Sequence, residues 1–502
     1  MTRARKRIAV IVSANRLWTW QRQAILRLSR NYDVDKYYTN AAPPYPSSLT
    51  AWLHFEQVVF RQSVSVEKIC VQSERRWTGL TMYEIILNLS EVPISFPGSM
   101  VAELRYDGSP DSIGFMTALL THQSPHLSVQ IRDSEGPVVT SYLNVPDKVV
   151  LQRGLQAAFA RLVLLVERAI EHIANRTAAK NQLPLIREAI PFSPGMLIRF
   201  GARFFVDKLF FSFVRKLQIK EHWSIAIFKC GHKLESDLID PPVLHASDLI
   251  LIQDDGTRFF ADPFILEDNE LAWIFAEELQ YATNKGVISC FALSEDGSAK
   301  PLGPVLERPY HLSYPFVFRH GDDIFMLPET GASKNVELYR AESFPKRWEL
   351  YRILLPGIEL YDATLFKCYE KWWLFGATSL DGNPPQDELA IYFSDDLEGP
   401  WHPHPCNPVK SNCRSARPAG RIIIQNERVF RPSQDCESDY GSGIVWCEIT
   451  ELTTESFQER EVGRWSGQHV GAKGLHNFDQ AGKWAVIDIK RTAWKKLKSA
   501  AP

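Results

Sequence analysis

The second half of the chain alternates short apolar stretches with polar turns, and this pattern repeats. Each repeat has an apolar strand, a polar turn and a second apolar strand, followed by outer strands. The repeats recur at roughly 50–57 residues, and four short strands at that period are typical of one β-propeller blade. Five repeats predict a five-bladed propeller, and segment 222–228 (HWSIAIF) supplies the strand that closes the ring. The inner pairs are FADPFILEDNELAWIFAEE (260–278), SYPFVFRHGDDIFMLPET (313–330), YDATLFKCYEKWWLFGATS (361–379), ARPAGRIIIQNERVFRPSQ (416–434) and GLHNFDQAGKWAVIDI (474–489).

The front of the chain follows a different pattern. Segments 8–12 (IAVIV), 66–71 (VEKICV) and 83–90 (YEIILNLS) have the continuous apolar character of parallel strands covered on both faces. Segment 17–30 follows the first strand with a helix-like sequence, and segment 148–175 keeps apolar residues at helical spacing. This part of the chain is therefore predicted to be α/β.

Segment 196–220 carries six phenylalanines and six basic side chains, with Asp207 as its one acidic residue. It can form an interfacial helix on an anionic membrane, with the Phe side chains in the lipid and the Lys and Arg side chains toward the headgroups. Alternatively, it forms a helix that packs between two domains and leaves its cations solvated at the edge. The sequence leaves both interpretations open.

These patterns predict a multidomain chain with an α/β and an all-β part. The predicted parts are an α/β domain over residues 1–147, a helical connector with the Phe- and Arg-rich amphipathic helix over 148–221, a five-bladed β-propeller over 222–490 and a basic tail over 491–502.

Charge and composition narrow the choice of partners. The formal net charge is −2, but residues 1–240 carry 30 basic against 21 acidic side chains and residues 241–502 carry 27 against 38. Halves of +9 and −11 indicate domains with different partners. The basic half has no helix-turn-helix or stacking-platform pattern, so a nucleic-acid partner is not expected.

Location is predicted from apolar runs and cysteines. No run of 18 apolar residues is free of charge, so a transmembrane span is not expected. Eight cysteines without a CxxC pair favour reduced thiols. We therefore expect a cytoplasmic protein, which would be peripheral to the inner membrane if the 196–220 helix binds lipid.

Polar residues recur where the first strand of each blade lines the channel of a propeller. Ionised side chains at inward positions cost stability unless they are paired or solvated, so several of them facing one channel indicate a site. Carboxylates with an Arg and a His supply an acid, a base or nucleophile, and donors for sugar hydroxyls, as glycosidic-bond chemistry requires. Alternatively, the Asp and Glu residues only cap turns and strand ends. The candidates are Asp262, Glu277 and Glu278 in blade 1, Tyr314 and Glu329 in blade 2, Asp362 in blade 3, Arg414, Arg417 and Asp435 in blade 4, and His476 and Asn477 in blade 5.

Two other motifs are more readily explained by structure than by function. HPHPCNPVKSNC (402–413) contains His and Cys, but its prolines and the lack of a second ligand pair favour a surface loop over a metal site. Trp372 and Trp373 favour the core over a sugar platform, because adjacent strand residues face opposite ways. We expect no metal and no cofactor.

Several motifs resemble one known family, the propeller domain found at the N-terminus of plant glucosamine inositolphosphorylceramide transferases and in many bacterial proteins. The similarity covers about residues 220–490. It rests on ADPF, HLSYPF, LPETGASKNVELYRAESFPKRWEL, DATLF with WWLF, GPWHPHPCNPVKSNCRSARPAGR and FRPSQDC. In the plant enzymes the transferase chemistry is attributed to a separate C-terminal domain, so the resemblance implies a carbohydrate setting more than a particular reaction.

That architecture is similar to the five-bladed propellers of arabinanase- and xylosidase-type glycosidases. In them an Asp-Pro that opens blade 1 is the general base, and the resemblance implies this role for Asp262. Tyr314 stands where those glycosidases carry a second Asp. The acid Glu of their blade 3 has no clear equivalent, so Glu329 or Asp362 would have to replace it.

The front of the chain is similar to formyltransferase domains through its opening strand, YEIILNLS and GSMVAELRYDGSPDSIGF. Those enzymes use an Asn, a His and an Asp for proton transfer to a formyl donor. Segment ELRYDG (103–108) supplies Asp107 but no His, and Asn88 is a poor substitute for the Asn. The resemblance therefore implies a degenerate, Rossmann-type formyltransferase-like scaffold.

The leading hypothesis is a carbohydrate-active protein that acts on or transfers glycosyl units of a cell-surface polysaccharide or glycolipid. Asp262 would act as the base and Glu329 or Asp362 as the acid or as a modulator of its pKa. Arg414, Arg417 and His476 would bind hydroxyls or an anionic group such as phosphate or uronate. One alternative is a non-catalytic carbohydrate-binding or scaffold module, and another is formyl or acyl transfer to a sugar by the N-terminal domain.

Overall fold

The chain forms two compact units, which span Met1–Phe211 and Ser212–Pro502. The predicted strand 66–71 and the predicted helix 196–220 are each described only in part. The computed structural model describes residues 5–14, 16–39, 42–60, 66–67, 83–94, 96, 98–134, 136–145, 149–175, 188–206, 218–219, 222–230, 239–241, 244–268, 271–368, 370–379 and 385–494.

The first unit is built on a six-stranded mixed sheet with the order β3-β1-β5-β6-β7-β8. The strands β3, β1, β5 and β6 are parallel, and β7 and β8 continue the sheet antiparallel. Ile8 to Val12 are completely buried, as expected for a central strand covered on both faces. The strands are β1 (Arg7–Ser13), β2 (Leu17–Trp18), β3 (Asp33–Thr39), β4 (Val66–Glu67), β5 (Ile85–Asn88), β6 (Met100–Tyr106), β7 (His126–Ile131) and β8 (Pro137–Tyr142).

In the described part of the first unit, five helices accompany this sheet. They are α1 (Thr19–Asn31), α2 (Ser47–Phe60), α3 (Ser112–Leu120), α4 (Leu151–Asn175) and α5 (Pro194–Val206). The buried carboxylate of Glu56, from α2, accepts hydrogen bonds from the backbone N–H groups of Leu151 and Gln152 at 2.9 and 2.8 Å. These N–H groups belong to the first turn of α4, where they have no partner within the helix. The negative charge of the carboxylate also interacts favourably with the positive end of the helix dipole. The predicted α/β character is confirmed, and the formyltransferase-like Rossmann fold stays a prediction.

Over the described residues, the second unit contains five antiparallel blades, of which blade 3 has five strands and the others have four; this confirms the predicted five-bladed propeller. Outside the blades, Gln218–Ile219 pairs with Ala493–Trp494. From the innermost strand outward, blade 1 is Arg258–Asp268, Leu271–Gln280, Lys285–Leu293 and Ala299–Leu306; blade 2 is Ser313–His320, Asp323–Glu329, Asn335–Ser343 and Arg347–Pro356; blade 3 is Leu360–Cys368, Lys371–Thr378, Glu388–Ser394 and His402–Pro403, with Lys410–Ser411 also paired to Glu388–Ser394; blade 4 is Ile423–Gln425, Arg428–Asp435, Gly443–Leu452 and Phe457–Ser466; blade 5 is Phe478–Ala481, Trp484–Lys490, Trp223–Lys229 and Ile250–Leu251.

The ring is closed by a strand from the start of the propeller segment. Trp223–Lys229 pairs antiparallel with Trp484–Lys490, from the other end of that segment, and so completes blade 5. The closing role predicted for segment 222–228 is therefore confirmed. Closure leaves no free inner edge and ties the two ends of the propeller together.

Blades 4 and 5 meet at Gly420, where two backbones come close together. Its φ of 128° favours glycine, and a Cβ at this position would lie 1.9 Å from the carbonyl oxygen of Phe478. Its N–H also donates to the Tyr314 hydroxyl at 2.7 Å. Gly420 therefore fixes the spacing of three inner strands.

We expect Gly420→Ala to lower the free energy of unfolding by about 3 kcal/mol, because strained backbone and a backbone clash add together. Gly303→Ala is the matched control: its φ is 88°, and nothing lies within 4 Å of the added Cβ. It carries only the left-handed backbone cost of about 1–2 kcal/mol. Urea unfolding of both variants measures the difference, and equal losses would show that the contact with Phe478 does not matter.

Candidate functional site

The inner strands of blades 1, 2 and 3 share one irregularity, and it places a polar side chain at the same point each time. The pairing of each strand with its neighbour shifts register by one residue, as at a β-bulge. Asp262, Tyr314 and Asp362 occupy these bulges with φ of 51°, 44° and 52°. Left-handed backbone is costly for residues other than glycine, and such strain concentrates at functional sites. Arg417 and His476 occupy the matching sequence positions of blades 4 and 5.

His476 lies between two carboxylates. Its Nε2 is 3.2 Å from Asp262 Oδ1, and its Nδ1 is 2.8 Å from Asp488 Oδ2. Burial alone would lower the pKa of this imidazole, but the charges of Asp488 and Asp262 outweigh it and raise the pKa to about 10. The His476 side chain is therefore an imidazolium at neutral pH.

Asp488 also holds the backbone of this region. Its carboxylate accepts hydrogen bonds from the N–H groups of Asp262, His476 and Asn477, each at 2.9 Å. The Asn477 amide donates to the Pro263 carbonyl at 2.8 Å. Asn477 therefore joins blades 5 and 1, and its amide nitrogen already donates a hydrogen bond within the protein.

A second buried ion pair lies between blades 3 and 4. Arg417 donates from Nε and an Nη atom to the two oxygens of Asp362, at 2.5 and 3.0 Å, and Gln434 donates to the same carboxylate at 2.7 Å. This two-point geometry is the strongest form of an Arg–carboxylate contact. Burial opposes the charge of Arg417, but Asp362 outweighs it and raises the pKa of the guanidinium.

Glu329 lies beside this pair, with one oxygen 3.6 Å from an Nη atom of Arg417. Burial, followed by the negative charge of Asp362, raises the pKa of the Glu329 carboxyl well above its usual range; the Arg417 charge only partly offsets this. Asp262 contributes to the same shift. Glu329 is therefore a mostly enclosed carboxyl group with a raised pKa next to a fixed cation.

Two aromatic hydroxyls complete this group. The Tyr314 hydroxyl lies 2.8 Å from the hydroxyl of Thr364. The Tyr440 ring lies 5.2 Å from the Arg417 guanidinium carbon and 5.2 Å from the His476 ring, so it touches both cations. Tyr440 was not among the sequence candidates, because its loop has no counterpart in the repeat.

Glu277 and His311 form a third pair that the sequence analysis recovered only in part. His311 Nε2 lies 3.1 Å from Glu277 Oε1. Burial raises the pKa of the Glu277 carboxyl; His311 opposes this shift and Asp262 adds to it. His311 comes just before the inner strand of blade 2, in the segment HLSYPF. Only the aromatic and proline positions of this segment recur in other repeats, so comparison of the repeats did not indicate the histidine.

Three predicted site residues have other partners. Glu278 lies on the opposite face of its strand from Glu277, where it accepts from Arg258 and from Ser289, each at 2.6 Å. Arg414 lies 3.2 Å from Glu437, and Asp435 pairs with Arg464. These contacts place Glu278 in the body of blade 1 and the other two in a separate charged cluster of blade 4. The structure thus brings together Asp262, Glu277, Tyr314, Glu329, Asp362, Arg417, His476 and Asn477.

Among the described residues, one group has the ligand types and spacing for a metal ion: Asp262, His476 and Asp488, with one ligand atom from each within 4.8 Å of the others. A metal ion here would have to displace the proton of an imidazole whose pKa is raised. In the HPHPC motif, His404 lies 3.1 Å from the Thr453 carbonyl through Nε2 and accepts from the Cys406 N–H through Nδ1. Both ring nitrogens are thus occupied by the backbone.

The first unit contains a cavity of about 470 Å³, which is lined by residues at the carboxyl end of β5 and along β6 and β7. Asn88 lines it and donates to the Val92 carbonyl and to Glu103. The Asp107 carboxylate accepts from the His126 N–H. The two residues predicted from the formyltransferase resemblance therefore both support the local backbone.

The buried His476 makes the stability of the protein depend on pH. Its pKa is about 10 in the folded chain against 6.5 when exposed, so its contribution is complete below about pH 6.5 and is lost as pH rises toward 10. We expect ¹⁵N NMR to show an imidazolium at pH 8 that is missing in His476→Gln. The variant should also lose less stability than the wild type between these pH values; a neutral ring at pH 8 would contradict the assignment.

Comparison with known proteins identifies relatives of the propeller unit. Residues 238–495 match the family model described as glucosamine inositolphosphorylceramide transferase 1, N-terminal. Glucosamine inositolphosphorylceramide transferase 1 from Oryza sativa subsp. japonica is 34% identical over 254 residues, which is 47% of this chain and 34% of the relative. The Arabidopsis thaliana protein of the same name is 33% identical over 210 residues, or 41% of this chain and 27% of the relative. The match thus spans about a third of the length of these relatives.

Solved structures give more distant matches. A family 117 glycoside hydrolase from Zobellia galactanivorans is 12% identical, covers 47% of this chain and 85% of its own, and has a TM-score of 0.36. An α-L-arabinofuranosidase from Podospora anserina is 13% identical, covers 47% of this chain and 91% of its own, and has a TM-score of 0.37.

Proposed function

The chain belongs to the family of the N-terminal region of glucosamine inositolphosphorylceramide transferase 1, and from this premise we propose that its propeller acts on or transfers glycosyl units of a cell-surface polysaccharide or glycolipid. The relatives are named glucosamine inositolphosphorylceramide transferases, and the sugar in that name supports a carbohydrate substrate. The sugar would lie against the ring of side chains that the five inner strands bring together.

The observation that carries this proposal is the contrast between Glu329 and Asp262. Glu329 is mostly enclosed, and burial together with the charge of Asp362 raises the pKa of its carboxyl. Asp262 lies 3.2 Å from His476 Nε2 and accepts from the Tyr314 N–H at 3.3 Å. Two carboxyl groups in such different environments are what acid–base chemistry at a glycosidic bond requires.

The roles of the other residues follow from these two. Glu329 would donate a proton to the departing oxygen, and Asp262 would accept a proton from the attacking hydroxyl or water. Asp362 would act through its charge, which raises the pKa of Glu329. Arg417 and Tyr440 would orient sugar hydroxyls, because Arg417 is held in one position by Asp362.

A binding module without turnover is the second candidate, and the pairing of the buried charges favours it. Asp362 is occupied by Arg417 and Gln434, and His476 lies between Asp262 and Asp488. Side chains that are already engaged in ion pairs and hydrogen bonds form a rigid binding surface. Few of them remain free to transfer a proton.

The two candidates are separated by Glu329→Gln and Asp262→Asn. If the site is catalytic, each variant should lower turnover by about 10²–10⁴-fold, whereas Asp395→Asn, which removes an exposed carboxylate of blade 3, should leave it unchanged. Turnover is measured with a panel of 4-nitrophenyl glycosides and with nucleotide-sugar donors plus a glycolipid acceptor. Binding is measured on a glycan array.

The possible results separate the catalytic hypothesis from the binding hypothesis. Wild-type turnover that survives both substitutions contradicts the acid and base assignments. Array binding by the wild type without turnover of any probe supports the binding module. A wild type that neither binds nor turns over any glycan would overturn the carbohydrate proposal itself.

A further inference from the structure

Helix α5 uses one face to pack on the first unit. Leu197, Phe200 and Phe204 are buried. The Phe200 ring contacts the Trp52 ring at 5.8 Å, and the Phe204 ring contacts the Phe60 ring at 5.7 Å. The helix is therefore anchored to α2 through Phe200 and Phe204, and its three buried side chains repeat at helical spacing.

The opposite side of α5 is apolar as well, but it is uncovered. The side chains of Ile198, Phe205 and Val206 are 73%, 50% and 54% exposed. Positions i, i+7 and i+8 lie on one side of a helix, so these side chains form a stripe. Isolated exposed apolar residues are ordinary, but a stripe of large ones next to a packed face indicates an interaction surface.

Basic side chains flank this stripe. Arg199 and Arg203 are exposed, and within the described part of the chain neither forms an ion pair. Helix α5 contains no acidic residue, and segment 196–220 has six basic side chains against Asp207. We call the surface formed by Ile198, Arg199, Arg203, Phe205 and Val206 the basic-apolar face.

We propose that the basic-apolar face docks the first unit onto an anionic lipid bilayer. The helix would lie in the plane of the interface, with Ile198, Phe205 and Val206 among the acyl chains and the guanidinium groups at the phosphates. The positive charge of this face favours an anionic surface. A neutral membrane or a purely apolar protein partner would make no use of the two arginines. No described helix is long and apolar enough to cross a membrane.

Vesicle sedimentation with the full chain tests this proposal. We expect binding to phosphatidylcholine vesicles that contain phosphatidylglycerol and little binding to phosphatidylcholine alone. Ile198→Ser with Phe205→Ser should lower the partition coefficient by about tenfold or more. Arg199→Gln with Arg203→Gln should lower it by about tenfold or more and reduce its dependence on salt.

Leu26→Ser is the matched control, because Leu26 is a 60% exposed apolar residue of another helix, α1. It should bind vesicles like the wild type, and circular dichroism should show all variants folded. No binding to anionic vesicles at low salt, or undiminished binding by the double Ser variant, would overturn the proposal.

Two other occupants predict different results. If a second copy covers the face, the double Ser variant changes the sedimentation coefficient in the absence of lipid. If the propeller covers it, the variant lowers the melting temperature and leaves vesicle binding at the wild-type level. Either pattern contradicts membrane docking. Glycan-array binding of the same proteins is measured in parallel. Its loss or retention tests the proposed sugar site and does not bear on membrane docking.

Discussion

The central site depends on how buried carboxylates hold the backbone of the neighbouring blade. A bulge turns the N–H of Asp262 away from the ladder of its own blade, and a buried N–H without a partner is costly. Asp488 of blade 5 accepts this N–H, and Glu329 of blade 2 lies 3.4 Å from the N–H of Asp362 in the same way. At these two junctions a carboxylate thus fixes both the approach of two blades and the direction of the next polar side chain.

The same arrangement separates the protonation states within the ring. Burial favours the neutral form of every titratable group, so each charge that remains needs a partner. His476 has two carboxylate partners, and their charges raise its pKa to about 10 against the effect of burial. At Glu329, burial and the charge of Asp362 act in the same direction, and both raise the pKa of the carboxyl. The neighbours therefore decide whether the effect of burial is opposed, as at His476, or reinforced, as at Glu329.

Repetition explains which residues could be predicted from sequence. Asp262, Tyr314, Asp362, Arg417 and His476 occupy one position of the repeat, and the structure brings four of them into direct contact with another site residue and places Tyr314 beside Asp262. Glu278 is the predicted binding residue, but its neighbour Glu277 is the one that lies in the site beside His311. A strand alternates its faces, and the sequence alone does not tell which of two adjacent residues faces inward. Asp488 was missed although it lies in the last part of a second strand, as Glu277 and Glu329 do, and comparison of those strand segments would have indicated it.

The pairing of the charged side chains also bears on the kind of sugar that the proposed site could hold. Arg417 and His476 are the two cations, and Asp362, Asp262 and Asp488 already engage them. A phosphate or uronate would have to separate one of these buried pairs, which leaves a carboxylate without its partner at a cost of about 3–5 kcal/mol. Neutral hydroxyls only add hydrogen bonds to groups that stay paired. The charge pattern therefore favours a neutral sugar over the anionic group that the sequence alone also allowed.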